Sequence, residues 1–246
     1  MRFAAIADIH GNCLALEAVL ADIAAQGIAQ LVNLGDLVSG PLEAARTADL
    51  LMTQDFLTIR GNHDRWLVEQ DPGEMGISDA AAHAELTPEH LAWIGSMPAT
   101  AVFKDEVYLC HGTPASDMTY WLETVDAEAR ITRTPRTKVE EVAKGIAQSL
   151  ILCGHTHIPR AVRLADGRMI VNPGSVGCPA YDDDRPVFHM MEAGTPDASY
   201  AILERTDDRW SVDFRLVPYD HMAAARLAEE RGRPEWARGL ATGWLT

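Results

Sequence analysis

The chain begins with an apolar run, FAAIA at residues 3–7, that turns abruptly polar in DIHGN. Unbroken apolar character over a stretch this short is expected of a strand covered on both faces, not of one with a wet side. From Cys13 to Gln26 the spacing changes. Leu14, Val19 and Ile23 recur at helical intervals and Gly27 supplies a stop, so a helix is expected there. LVNLG (31–35) and FLTIRG (56–61) repeat the strand pattern on either side of an Ala- and Leu-rich helical stretch after Pro41. Alternating strand and helix imply right-handed crossovers and a mainly parallel sheet with helices on both sides.

Residues 66–98 break the alternation. They are Ala-rich and helical in character, with Thr87 placed as an N-cap before Pro88 at the first helical position, and are expected to form an inserted helical lobe. Strand patterns resume at 99–103, 107–112, 149–155, 161–172, 187–192, 199–205 and 210–217, with ADG at 165–167 marking a hairpin turn. A second sheet facing the first is expected, followed by an amphipathic helical tail over 219–246. With no repeat, low-complexity tract or linker, residues 1–246 are expected to form one domain.

Composition narrows the range of partners. Hydrophobic residues make up 47% and charged residues 23%, an ordinary globular balance, and the net charge is −15. Such a field repels nucleic acid phosphates at long range and disfavours sequence-independent binding to them, whereas a small anionic substrate is acceptable where bound metals add local positive charge. The four cysteines, at 13, 110, 153 and 178, show no CxxC spacing and are expected to be reduced and mostly buried. The first residues lack the apolar core of a signal peptide, and no run approaches the roughly 18 apolar residues of a membrane span, so the cytoplasm is the expected location.

The candidate chemistry sits where the expected strands end. Asp8 and His10 follow the first, Asp36 the second, and Asn62 and His63 the third; His111 follows a later one, and His155 with His157 another. In open α/β sheets ligands bind beyond the carboxyl ends of strands, so this placement can bring all of these groups to one edge. Each block alone is a weak signal; the ordered set DIH, GD, GNHD, HG and GHTH is a strong one.

In that order the blocks resemble the calcineurin-like metallophosphoesterase superfamily, over residues 3 to about 177. DIHGNCLALEAVL and NPGSVG (172–177) are most similar to its compact bacterial and archaeal phosphodiesterase branch. The resemblance implies an α/β fold, a four-layer α/β/β/α sandwich with two facing mixed sheets and the metal site at strand C-terminal ends. It implies one divalent ion held by Asp8, His10, Asp36 and His157 and a second held by Asp36, Asn62, His111 and His155, with Asp36 bridging. Mixed oxygen and imidazole ligation suits Mn, Fe, Zn, Ni or Co. Two such ions would generate a bridging hydroxide for in-line attack on a phosphoryl group. His63, in GNHD, would contact phosphate and protonate the leaving oxygen, with Asp36 and Asn62 the other catalytic positions. Asp64 is read either as orienting this loop or as an ordinary first-turn acid, and Asn172 as a turn former or a support for the site.

Departures from the pattern narrow the substrate. Serine/threonine protein phosphatases of the superfamily carry GDxVDRG where this chain has GDLVSGP, so Ser39 and Gly40 cannot supply the Asp and Arg functions. After NPGSVG the branch often continues Gln-Pro-Arg, whereas Cys178-Pro179-Ala180 stands here, and Arg185 is read as a solvated loop charge. His83, His90, His189 and His221 match no motif and are expected on the surface or in packing. The reading favoured is a phosphodiesterase or phosphomonoesterase acting on a small-molecule phosphate ester; an interaction scaffold of the same fold and a nuclease are the alternatives. A homo-oligomer is compatible with the sequence.

Overall fold

The expected alternation holds through the first sixty residues, as β1 (Arg2–Ile6), α1 (Cys13–Ala25), β2 (Leu31–Asn33), α2 (Ala44–Met52) and β3 (Leu57–Thr58). Three helices follow, α3 (Asn62–Glu69), α4 (Ile77–Glu85) and α5 (Pro88–Gly95). Next come β4 (Thr100–Phe103), β5 (Val107–Cys110), β6 (Glu123–Val125), β7 (Ile131–Arg133), α6 (Arg136–Val142) and β8 (Leu150–Leu152). The chain ends with β9 (Arg160–Arg163), β10 (Met169–Asn172), β11 (Ala180–Asp183), β12 (His189–Glu192), β13 (Ala198–Thr206), β14 (Arg209–Val217), α7 (His221–Glu230) and α8 (Pro234–Thr242). The computed structural model describes residues 1–246.

Local chemistry explains the helix ends. The Asn12 side chain accepts from Ala15 N (3.2 Å) to start α1, and Gly27 leaves the helix in the left-handed region at φ +67°. Thr87 caps α5 as expected, with His90 completing the reciprocal pair.

Two five-stranded sheets form, in the orders β14-β13-β1-β2-β3 and β4-β5-β8-β10-β9. The parallel pairs are β1 with β2 and β2 with β3 in one sheet, and β5 with β8 and β8 with β10 in the other. The expected mainly parallel sheet is thus corrected. The β13-β14 hairpin returns to lie antiparallel beside β1, and hairpin partners also flank the second sheet. Helices on both sides of one sheet is corrected too, since the second sheet covers the other face.

Strand pleating divides the apolar residues among three cores. Ala4 and Ile6 point outward to pack with Leu16, Val19 and Leu51 of α1 and α2, while Phe3 and Ala5 point inward, where they meet Leu109, Leu150 and Leu152 between the sheets. On the far face Ile151 and Ile170 pack with Trp121 and with Val139 and Ala143 of the α6 region. The result is four layers, α/β/β/α. Burial of both strand faces is why FAAIA and LIL read as continuous runs. β6, β7, α6 and β11 escaped the sequence reading for a related reason: β7 is exposed throughout and α6 buries only Val139, so neither carries a periodic apolar face.

Candidate active site

The two parallel triplets end at a common rim. β1 delivers Asp8 and His10, β2 delivers Asp36, and Asn62 and His63 open α3 just beyond β3. From the other sheet β5 delivers His111, and β8 delivers His155 and His157. Cross-loop backbone bonds knit the rim: Ile9 N and His10 N donate to Asp36 O (2.9 and 3.0 Å), and Gly154 N donates to His111 O (2.6 Å). Asp8, His10, Asp36, His155 and His157 all adopt positive φ, between 51° and 70°. Non-glycine residues are uncommon there, and such strain persists only where the surroundings over-determine it, which is characteristic of functional sites.

Two groups emerge, each drawing on both sheets. Ligand-type atoms of Asp8, His10 and His157 lie within 4.8 Å of one another, as do those of Asp36, His111 and His155. Asp36 Oδ2 is 3.1 Å from His111 Nε2 and 3.9 Å from His10 Nε2, so one carboxylate oxygen faces both groups. Backbone carbonyls anchor three imidazoles through Nδ1: Ser39 O to His10 (2.8 Å), Leu34 O to His111 (2.8 Å) and Cys178 O to His157 (2.7 Å). A carbonyl only accepts, so each Nδ1 carries the proton and Nε2 is turned into the site. Two consequences bear on metal binding. Nε2 of His10 and Nε2 of His157 face each other at 3.2 Å, two lone pairs in contact for neutral rings. Nε2 of His111 and Oδ1 of Asn62 are buried without a hydrogen-bond partner. A cation at each group would resolve both conflicts, and the donor set of imidazole nitrogen, carboxylate and amide oxygen suits divalent transition metals.

Electrostatics follow from the same crowding. Burial holds His10 down to about 4 and His155 down to about 3, and with the neighbouring His10 it drives His157 well below the ordinary value. These rings are neutral and ready to bind. Burial also pushes Asp8 up to about 8, helped by the charge of Asp36 against the opposing His111. For His111 burial is outweighed by Asp36 and Asp8, raising it to about 10; for Asp36 the surrounding histidines, His111 foremost, overcome burial and lower it. A cation binds the carboxylate and the neutral imidazole in their deprotonated forms, so metal affinity should rise with pH. Calorimetric metal titration at pH 6 and pH 8 reads this, and an affinity independent of pH would contradict it.

Supporting residues hold the rim. Asp64 is fully buried and accepts from Asp36 N (2.7 Å), Leu37 N (3.0 Å) and Gly61 N (2.9 Å), so it does orient the loop. Asn172 serves both of its expected roles, donating to Gly154 O and Thr156 Oγ1 while its Oδ1 accepts from Gly174 N in the turn. At Gly61 a Cβ would stand 2.2 Å from Asp36 Oδ1, so no other residue fits at this approach. The cysteines are free and buried as expected, and His90 and His189 are packed within the protein.

A cleft of about 1020 Å³ opens over these groups, and several of its lining residues carried no motif. Tyr120 and Tyr181 share a hydrogen bond (2.8 Å), and Tyr181 donates to His155 O (3.1 Å). Trp66 stacks edge-on to His63, and Trp236 from α8 lies edge-on to His10. Asp79, from α4, accepts from His63 Nδ1 (2.7 Å) and from Ser39 Oγ (2.6 Å). Ser39, which cannot supply the Asp function of GDxVDRG, is nevertheless in contact with the His63 ring, its Oγ 3.2 Å from Nδ1. His63 itself is only partly buried, and Asp36 with Asp79 raises it to about 9 against the effect of burial. Arg185 is exposed at the cleft margin.

Fold and rim together define a two-sheet α/β protein with a histidine- and carboxylate-rich metal-binding cleft. Residues 1–196 match the model of the calcineurin-like phosphoesterase superfamily domain, and the chain belongs to that superfamily. It is 26% identical to an uncharacterized protein of Methanocaldococcus jannaschii, MJ0912, over 95% of this chain and 94% of the relative. The crystal structure of a metallophosphoesterase from Sphaerobacter thermophilus superposes with a TM-score of 0.75 at 25% identity, covering 99% of this chain and all of that one. A hypothetical protein of Pyrococcus horikoshii, PH1004, shares the fold with the same TM-score at 20% identity, over 99% of this chain and 98% of its own. No helix is long and apolar enough to cross a membrane.

Proposed function

We propose that the protein is a dinuclear metal-dependent phosphoesterase acting on a small-molecule phosphodiester or phosphomonoester in the cytoplasm. The observation that carries this reading is the pair of ligand groups facing one carboxylate, Asp36, with His63 beside them. Asp8, His10, Asp36 and His157 would hold one ion and Asp36, Asn62, His111 and His155 the other, with Mn, Fe, Zn, Ni or Co as the suitable metals. Bound there, the ions would activate a water and neutralise charge on the phosphoryl oxygens.

The chain's own residues supply the rest. Nδ1 anchoring keeps three of the four ligand imidazoles in one tautomer, and Asp36 Oδ1 accepts from His63 N (3.0 Å), tying the acid to the bridge. His63 would give a proton to the departing oxygen as the phosphorus–oxygen bond breaks, and the water oxygen takes that place on phosphorus. The cleft accommodates a small ester, and the net charge of −15 disfavours a nucleic acid substrate.

Two substitutions test the division. His157→Ala should lose mainly the ion shared with Asp8 and His10, and His111→Ala mainly the one shared with Asn62 and His155. Anomalous scattering on metal-loaded crystals reads each position separately. Both variants emptying the same position would contradict the assignment.

A further inference from the structure

His63 makes both of its ring hydrogen bonds through Nδ1, at 2.7 Å to Asp79 Oδ1 and 3.2 Å to Ser39 Oγ. A carboxylate only accepts, so Nδ1 carries the proton and Nε2 is the edge left for the cleft. The ring is further confined edge-on by Trp66 at 4.8 Å and His10 at 5.4 Å. Asp79 stands in the first turn of α4, where an acid is ordinarily a helix-dipole partner in water. Here it is buried to 3% exposure, and both hydrogen bonds of Oδ1 leave the helix for the site.

The helix carrying it is clamped at both ends by the rim loop and the C-terminal region. Near its start Ser78 O accepts from Gly40 N (3.3 Å), and Ser78 Oγ accepts from both terminal nitrogens of Arg233 (3.2 Å each). At its end Glu85 pairs with Arg231 and accepts from Ala45 N (3.4 Å). The small residues of GDLVSGP make this docking feasible. Ser39 is short enough to bond Asp79 without displacing it, and a Cβ at Gly40 would stand 3.1 Å from the Trp236 ring.

We propose that Asp79, brought in on the inserted helix α4, is the positioning residue of the proton donor, holding the Nδ1 edge of His63 so that Nε2 is aimed at the departing oxygen. This rests on the reading of His63 as that donor. Partners that orient metal-ligating histidines typically contribute about 10-fold to 100-fold, and an acid histidine held the same way is expected to lose a similar part of the about 10² to 10⁴ that general acid catalysis supplies.

The test uses the metal-loaded full chain and two substrates, an alkyl phosphodiester, whose alkoxide needs a proton to leave, and a nitrophenyl phosphodiester, whose phenolate largely does not. Asp79→Asn is isosteric and should lower kcat on the alkyl ester by about 10-fold to 100-fold, with little change on the nitrophenyl ester and with metal content unchanged. Placed on His63→Ala, it should cost nothing more. Ser39→Ala, a milder variant that leaves the Asp79 to His63 bond in place, should show the same substrate dependence at smaller size. Wild-type rates for Asp79→Asn beside a leaving-group-dependent loss in His63→Ala overturn this proposal alone. So do equal losses on both esters that add to those of His63→Ala, the mark of a purely structural carboxylate. Equal losses on both esters in His63→Ala itself overturn the donor reading, and this proposal with it.

Discussion

Asp36→Asn strips metal from both positions and lowers turnover by at least about 10³-fold, the rate equivalent of the several kcal/mol that metal ions contribute to charge stabilisation in such reactions. Asparagine keeps the shape of the side chain but offers one neutral oxygen where an anionic carboxylate faces the His10 and the His111 groups at 3.9 and 3.1 Å. Its amide nitrogen also places a donor in a pocket built to receive cations. Because Asp36 is 1% exposed and Asp64 grips the loop backbone, not the side chain, the fold should survive. Elemental analysis of the purified variant checks the first part and a model phosphodiester assay the second. Two full equivalents of metal per chain would remove Asp36 from the bridging position.

His63→Ala acts on the reaction and leaves the ions alone. Hydrolysis of an alkyl phosphodiester should slow by about 10² to 10⁴, the usual contribution of a general acid. A nitrophenyl ester should suffer much less, since nitrophenolate leaves near neutral pH with little help. Metal content should stay at the wild-type level, because the ring bonds to Asp79 and Ser39 and belongs to neither ligand group. Parallel assays on one preparation are sufficient. Equal slowing of both esters with full metal content would make His63 a phosphate-binding group, and lost metal would place it among the ligands.

The residues of the rim were legible because they follow apolar runs that bury both faces. Phe3 to Ala7 and Leu150 to Leu152 can only be interior strands, and the polar residues that end them had to lie at a sheet edge. The helix from Cys13 was readable from the spacing of Leu14, Val19 and Ile23, and the Thr87 cap from local hydrogen-bonding chemistry, because in both the partners lie a few residues apart. Antiparallel flanking by β13 and β14 was not readable as pairing. Strand patterns state which faces are buried but not which neighbour covers an edge some 200 residues away.

The sequence by itself determined which side chains end the strands, their chemical types and their order, because strand and turn formation depend on neighbours a few residues apart. Tertiary structure alone decided how they combine. Each candidate metal group takes members from both sheets, so the packing of one sheet on the other selects His157 for Asp8 and His10, and His111 with His155 for Asp36. It likewise brought Asp79 to His63 across a helical insertion, and Trp236 over Gly40 from the far end of the chain. Contacts of this kind depend on shape at long range, where a missing side chain at residue 40 or a short one at 39 matters more than any periodicity along the chain.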